Sequence, residues 1–327
     1  MVLHSSLRAA ALVLCVLPFA SPRQALAFTA YVTNEKGNSI SVIDTDKLAV
    51  TKPIPVGQRP RGIALSPDGK ELYICASDDD TIQVIDTKTL EITGNLESGL
   101  DPELLIVSHD GKYVFTSNEN DHLVTVIDVK THRRVFDVPV GVEPEGMAIG
   151  PNDEILVNTS ETTNMVHMID LASRKVIANI LVDPRPRFAQ FTPDGSELWV
   201  SSEVGGTIAV IDPVKHVVKQ KISFEIPGLA KEAIQPVGIN FTADGKTAFV
   251  ALGPANHVAV INQATKEVVK YLLVGQRVWH MAFTPDGKYL YTANGVSNDV
   301  SVIDVPALKV IKSIEVGSFP WGIAIGK

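Results

Sequence analysis

A 42-residue beat runs through this chain of 327 residues and constrains its fold more than any other feature. A Val-Ile-Asp anchor, or a close variant, ends at Asp44, Asp86, Asp128, Asp170, Asp212, Asn262 and Asp304, in steps of 42, 42, 42, 42, 50 and 42 residues. A turn pair keeps the same phase: Asp68-Gly69, Asp110-Gly111, Asn152-Asp153, Asp194-Gly195, Asp244-Gly245 and Asp286-Gly287. So does a proline, at Pro60, Pro102, Pro144, Pro186, Pro236 and Pro320, with Val278 as the departure. Three independent markers in phase identify a repeat architecture, which must bury its core between neighbouring modules.

Each module reads as four short strands. In the second, these are residues 62–65, 72–76, 82–85 and 90–96, dense in Val, Ile and Tyr, with a polar loop at 77–80. Asp68-Gly69 tolerates the positive φ of a tight hairpin. No stretch has sustained helical periodicity. Four strands per module of this length predict an all-β propeller rather than a solenoid. Shifting the Asp68-Gly69 turn back by one repeat lands at residues 26–27; shifting Asp286-Gly287 forward lands just past the C-terminus. The two ends therefore meet within one blade. Three N-terminal strands, starting at Tyr31-Val32-Thr33-Asn34, and one C-terminal strand, Gly322-Ile323-Ala324-Ile325, would complete a ring of seven four-stranded blades and leave no open edge.

Residues 1–27 read as a secretory signal peptide: Arg8, an apolar run over 9–20, and an Ala25-Leu26-Ala27 cleavage site before Phe28. The run is too short to span a membrane, and Cys15 within it lacks the small residues of a lipoprotein site. A periplasmic, monomeric propeller over 28–327 is the expectation. Removal of the peptide leaves 27 basic against 37 acidic residues, a net charge of −10, which weighs against nucleic acid and anionic lipid as partners. Only Cys75 then remains, so no internal disulfide forms; its apolar setting reads as a buried small side chain.

In a propeller the loops from each outer strand to the next inner strand surround the channel mouth. In order they carry Arg59-Pro60-Arg61, Asp101-Pro102-Glu103, Glu143-Pro144-Glu145, Arg185-Pro186-Arg187, Gln235-Pro236-Val237, Arg277-Val278-Trp279-His280 and Phe319-Pro320-Trp321. Two basic loops flank two acidic ones on one half. The other half holds two of the three tryptophans, a histidine and a phenylalanine. One reading is a binding face, charged on one side and aromatic on the other, since Trp and Arg often anchor interfaces. The other is that the charges pair around the channel and Trp279 and Trp321 pack between blades. An eight-residue excess between Ser223 and Gln235 lies on the same face, as a lid or a tolerated insertion.

Other chemistry finds little support. The histidines lack zinc-ligand spacing, although His122, His257 and His280 share one face. Asp78-Asp79-Asp80 lacks calcium-loop spacing and reads as a solvated loop. There is no G-x-S-x-G elbow, phosphate loop or haem-attachment motif. No metal, cofactor or catalytic residue is assigned.

Tyr31-Val32-Thr33-Asn34, Tyr291-Thr292-Ala293-Asn294 and Ser66-Pro67-Asp68-Gly69 closely resemble the YVTN-repeat propeller family. The length, the leader and the opening Phe28-Thr29-Ala30-Tyr31-Val32-Thr33-Asn34-Glu35 are most similar to the PQQ-dependent catabolism-associated β-propeller proteins. That resemblance implies a non-catalytic periplasmic binding or scaffold protein beside quinoprotein alcohol oxidation, with a quinoprotein dehydrogenase or c-type cytochrome as partner. It brings no catalytic residues. A second expectation is a channel-mouth enzyme, since YVTN propellers also resemble lactonase and streptogramin-lyase propellers; Glu103, Glu145 and His280 would be acid and base. A third is a single-stranded nucleic-acid binder using Trp279, Trp321, Arg277 and Arg59, against which the net charge weighs.

Overall fold

The computed structural model describes residues 28–327. The leader, its cleavage site and Cys15 lie outside the described residues. Seven four-stranded antiparallel sheets form the blades. Blades 1 to 6 have inner strands Pro60–Leu65, Pro102–Val107, Pro144–Ile149, Pro186–Phe191, Ile239–Phe241 and Val278–Phe283. Blade 7 joins the termini: Pro320–Gly326 pairs with Thr29–Asn34, which continues to Ser39–Asp44 and Ala49–Pro55. Ala30 lies opposite Ile325 and Val32 opposite Ile323. The expected closure is the observed one.

The repeat markers have local causes. The anchor Asp closes the turn between the third and fourth strands by accepting backbone N–H groups ahead of it. Asp86 Oδ1 accepts from Lys88 and Thr89 at 2.9 and 2.7 Å. Asn262, the one substitution, accepts from Ala264 and Thr265 at 3.0 and 3.1 Å. Gly69, at φ +71°, occupies the left-handed position of the hairpin. The Asn that ends the YVTN motif bridges strands: Asn34 Nδ2 donates to Ser39 and Ser41 Oγ at 3.1 and 3.0 Å. Thr33 links blades, donating to the Arg61 carbonyl at 2.8 Å while accepting from Gly322 N–H at 2.9 Å. At Gly322 a Cβ would sit 2.6 Å from the Arg61 carbonyl oxygen, so this close approach of inner strands admits only glycine.

Apolar side chains from facing sheets fill the spaces between blades. Trp199 and Phe249 are fully buried there. The insertion is part of this packing: Phe224, Ile226 and Ile234 are buried in the same cluster as Trp199, and Glu225 N–H donates to Tyr271 Oη at 3.1 Å. Three apolar anchors make it a packed addition and not a lid. Cys75 is buried 3.9 Å from Thr116 Oγ1, and burial pushes its thiol up, in keeping with a small packed side chain.

Candidate functional site

The channel mouth is assembled by one device repeated around the ring. The residue before six of the seven inner strands is left-handed: Arg59, Asp101, Glu143, Arg185, Arg277 and Phe319 have φ between +50° and +61°. A side-chain oxygen from the preceding blade accepts the N–H of most of them. Asn38 serves Arg59 at 3.0 Å, Asp80 Asp101 at 2.8 Å, Asn164 Arg185 at 3.0 Å, Asn256 Arg277 at 2.8 Å and Asn298 Phe319 at 2.8 Å. Their own carbonyls accept N–H groups from the following blade's second strand end: Glu35 N–H to Phe319, Glu161 N–H to Glu143 and Glu203 N–H to Arg185, each 2.8 Å, and Glu119 N–H to Asp101 at 2.9 Å. A strained backbone is thus pinned from both sides.

Proline is the first residue of the inner strand in five blades, not a loop residue as the sequence suggested. Its fixed φ suits the strand and its missing N–H costs no ladder bond there. Consequently Arg61, Glu103, Glu145, Arg187, Trp279, His280 and Trp321 are strand residues around the channel; only Arg59, Asp101, Glu143, Arg185 and Arg277 belong to the rim loops. Blade 5 departs, because its inner strand starts at Ile239 and Pro236 precedes it.

The charges pair with one another. Arg59 reaches Glu103 at 2.9 Å, Asp78 at 2.5 Å, and Asp101. Arg61 joins Glu35 at 3.0 Å and also Glu103. Arg187 lies 2.5 Å from Glu161, 3.3 Å from Glu145 and 3.7 Å from Glu203. Arg185 adds Glu161 at 2.7 Å and Glu203 at 3.3 Å, and Arg277 meets Glu203 at 2.6 Å. Glu143 stands apart, accepting from the Thr162 hydroxyl. Three carboxylates of this network, Glu35, Glu161 and Glu203, and Glu119 beside Glu103, were not among the candidate residues of the sequence. They follow the second strand at spacings of 84, 42 and 42 residues, so the repeat itself carried the signal.

Burial and crowding set the proton positions. Burial would raise Glu103, but Arg61 and Arg59 outweigh it and hold its carboxyl at about 2. Burial and Glu103 push Asp101 up to about 6 and Glu119 up to about 8. Glu145 is pushed well above the carboxylate range, because burial and neighbouring Glu103 and Glu161 exceed what a shared Arg187 offsets. Arg187 stays firmly protonated despite burial, held by Glu145, Glu161 and Glu203. Burial, with Arg187 and Arg61, drives His280 down to about 3, so its imidazole is neutral. Of the three residues expected to serve as acid and base, Glu103 is tied to two arginines, Glu145 holds its proton and the His280 imidazole is neutral.

The aromatic half is packed. Trp321 is 1% and His280 7% exposed, with ring centroids 4.3 Å apart. Trp279 is partly buried, 4.2 Å under the Arg277 guanidinium and 6.5 Å from Trp321. His122 and His257 bond to local carbonyls of Glu119 and Ala255 at 3.0 and 2.6 Å and do not join His280 in a ligand set. Asp78, Asp79 and Asp80 each accept a bond from the rim, at 2.5, 2.7 and 2.8 Å, so they brace the mouth. Among the described residues the one group of acids close enough for a cation is Asp101, Glu103 and Glu119, and Arg59 already occupies two of the three.

Comparison with known proteins gives similarity in parts of the chain. A family described as YNCE-like beta-propeller matches residues 5–124, and one described as lactonase, 7-bladed beta-propeller, matches residues 183–307. No curated protein matches. Among solved structures, hydrazine synthase of Kuenenia stuttgartiensis is 20% identical with a TM-score of 0.71, covering 80% of this chain and 87% of that one. A functionally unknown protein from Desulfotomaculum acetoxidans is 19% identical with a TM-score of 0.78, covering 91% and 98%. A putative 6-phosphogluconolactonase from Bacteroides uniformis is 16% identical with a TM-score of 0.77, covering 92% and 100%. At such identities the likeness shows the propeller fold alone.

Proposed function

We propose that this chain is a non-catalytic binding protein of the periplasm, exported and cleaved near Ala27 and Phe28, whose channel-mouth face docks a partner protein. The observation that carries this reading is the composition of that face. Exposed apolar side chains at Leu100, Val142, Val204 and Val296, exposed by 49, 39, 62 and 50%, stand on the loops around the paired-charge network. Arginines already held by carboxylates lose little freedom on docking, and apolar side chains beside them supply burial. The partner class, a quinoprotein dehydrogenase or c-type cytochrome, rests on the resemblance of the repeat and of the opening segment.

Charge reversal at Arg61 or Arg187 would disturb buried pairs and test the fold instead. The informative variant combines Val142→Asp with Val204→Asp, both at exposed positions outside the ion pairs. Immobilised protein is expected to capture a quinoprotein or cytochrome from periplasmic extract of alcohol-grown source cells, and the variant to capture it about tenfold less. Equal capture by both, or capture of neither protein class, refutes the reading.

A second reading is favoured by two observations: the partial lactonase match and the raised carboxyls of Asp101 and Glu119 at the mouth. Asp101 as base needs its proton off, above about 6, and Glu119 as acid needs its proton on, below about 8. A lactone hydrolysis carried by them would follow a bell-shaped pH profile between those values, lost in Glu119→Gln. The binding reading expects no turnover of gluconolactone or its 6-phosphate.

A further inference from the structure

Every blade ends in an outer strand that is paired on one side only. Such an edge invites pairing with another chain unless charge, proline or a covering contact blocks it. Five of the seven outer strands are interrupted by charge or proline, at Lys52-Pro53, Asp137, Lys219, Lys270 and Lys312. The outer strand of blade 1, Glu91–Glu97, has an acid at each end, and its Glu97 N–H donates to the His132 carbonyl of blade 2 at 3.2 Å. The outer strand of blade 3, Lys175–Leu181, has no such guard: beyond Lys175 it reads Val-Ile-Ala-Asn-Ile-Leu. Ile177 is 46% and Leu181 66% exposed, with Asn179 exposed between them. Val182 N–H donates inward to the Asn164 carbonyl at 3.0 Å, and backbone groups alternate along a strand, so those of Leu181 and Asn179 point out from the edge. Leu181 holds the place in blade 3 that Glu97 holds in blade 1, but its N–H meets no backbone carbonyl of another blade among the described residues.

We infer that this edge pairs with the same edge of a second copy, antiparallel and about a two-fold axis at Asn179, so that two four-stranded blades join into one continuous sheet. An isologous contact requires a self-complementary segment. This one qualifies: the axis sets Leu181 beside Ile177 of the second copy, and the reverse, with Asn179 opposite itself. His167 Nε2 accepts from Gly141 N–H at 3.0 Å and its Nδ1–H donates to Asn179 Oδ1 at 2.6 Å, which leaves the Asn179 amide nitrogen as a donor at the axis. At each end the exposed Lys175 comes across from Asp183 of the second copy, whose side chain is 26% exposed beside Lys221. Unlike charges therefore meet at both ends of an apolar centre, which an unrelated strand would not supply in this register. One strand per chain makes a small interface, so the association is weak and the monomer expected from the sequence is its dilute state. The contact lies on the outer wall, uses none of the channel-mouth side chains, and stands or falls without the docking reading.

Sedimentation equilibrium of the purified protein should show the mass rising from one chain toward two between ~5 and ~500 μM. Leu181→Lys puts a charge beside the axis in each copy and should weaken the dimer about tenfold, while its melting temperature stays with the parent's because the side chain is exposed. Leu273→Lys is the control. Leu273 occupies the same place in blade 5 and is also 66% exposed, but its strand carries Lys270, whose Nζ donates to the Leu308 carbonyl at 2.8 Å. This variant should dimerise as the parent does. A single-chain mass persisting at ~500 μM overturns the inference. So does a dimer untouched by Leu181→Lys, or one that Leu273→Lys weakens equally.

Discussion

Deletion of residues 320–327 is expected to abolish cooperative folding. The missing segment is the inner strand of blade 7, and its loss exposes the edge of Thr29–Asn34 along the register that pairs Ala30 with Ile325 and Val32 with Ile323. Trp321, Ile323 and Ala324 leave the core, and their former neighbours Tyr31, Val32 and Ala30 face water. At ~1.5–3 kcal/mol for each large side chain returned to solvent, the loss rivals the ~5–15 kcal/mol that holds a typical domain together. The ring also loses its closure, leaving an unpaired apolar edge open to self-association. The truncated chain should show no sharp thermal transition, bind a hydrophobic dye and elute as aggregate. A cooperative melt within a few degrees of the full chain would refute this account of closure.

Replacing Arg187 with Met should cost about 3–5 kcal/mol, because it removes the cation paired with buried Glu145 and leaves buried Glu161 only the half-exposed Arg185. For a chain of this size, with an unfolding entropy of ~2.1 cal/mol/K per residue, that lowers the melting temperature by roughly 5–8 °C. The loss should depend on pH in a definite sense. Buried carboxyls without a cation bind protons more tightly folded than unfolded. Their contribution is most favourable below the unfolded pKa and disappears as pH rises through the folded one. The variant should therefore be closest to the parent near pH 4–5 and furthest from it above pH 8. Arg185→Met is the control. Arg185 touches Glu161 and Glu203 as well but is 48% exposed, so its removal should cost less than ~1 kcal/mol. Equal melting shifts for the two variants would show that the Arg187 pairs contribute no more than surface pairs do.

The candidate site was only half legible before the fold was known. The proline-flanking positions pointed to the channel, and Arg61, Glu103, Glu145 and Arg187 do meet there. Their character was misjudged: a patterned charge around the ring suggested a face open to partners, whereas most of it is spent on internal pairs. Glu35, Glu119, Glu161 and Glu203 escaped notice although they keep the repeat spacing, because a lone Glu after a strand resembles any solvated loop residue. The exposed Leu100, Val142, Val204 and Val296 were equally silent, since no local pattern separates an exposed Val from a buried one.

What the sequence determined by itself is what rests on nearest neighbours. Blade number, four strands per blade and the shared closing blade follow from turn chemistry repeated in phase: an Asp or Asn that closes each hairpin, an Asp-Gly that permits a left-handed turn, and alternating apolar residues between them. Those interactions span a few residues, so they can be read along the chain. Only the tertiary structure decided which arginine meets which carboxylate, which carboxyls keep their protons, and that the rings of His280 and Trp321 are buried against each other. Arg61 and Glu103 are 42 residues apart in the chain, Arg277 and Glu203 are 74 apart, and both pairs are in contact at the channel axis. Electrostatic energies depend on separation and burial in space, and sequence spacing carries neither.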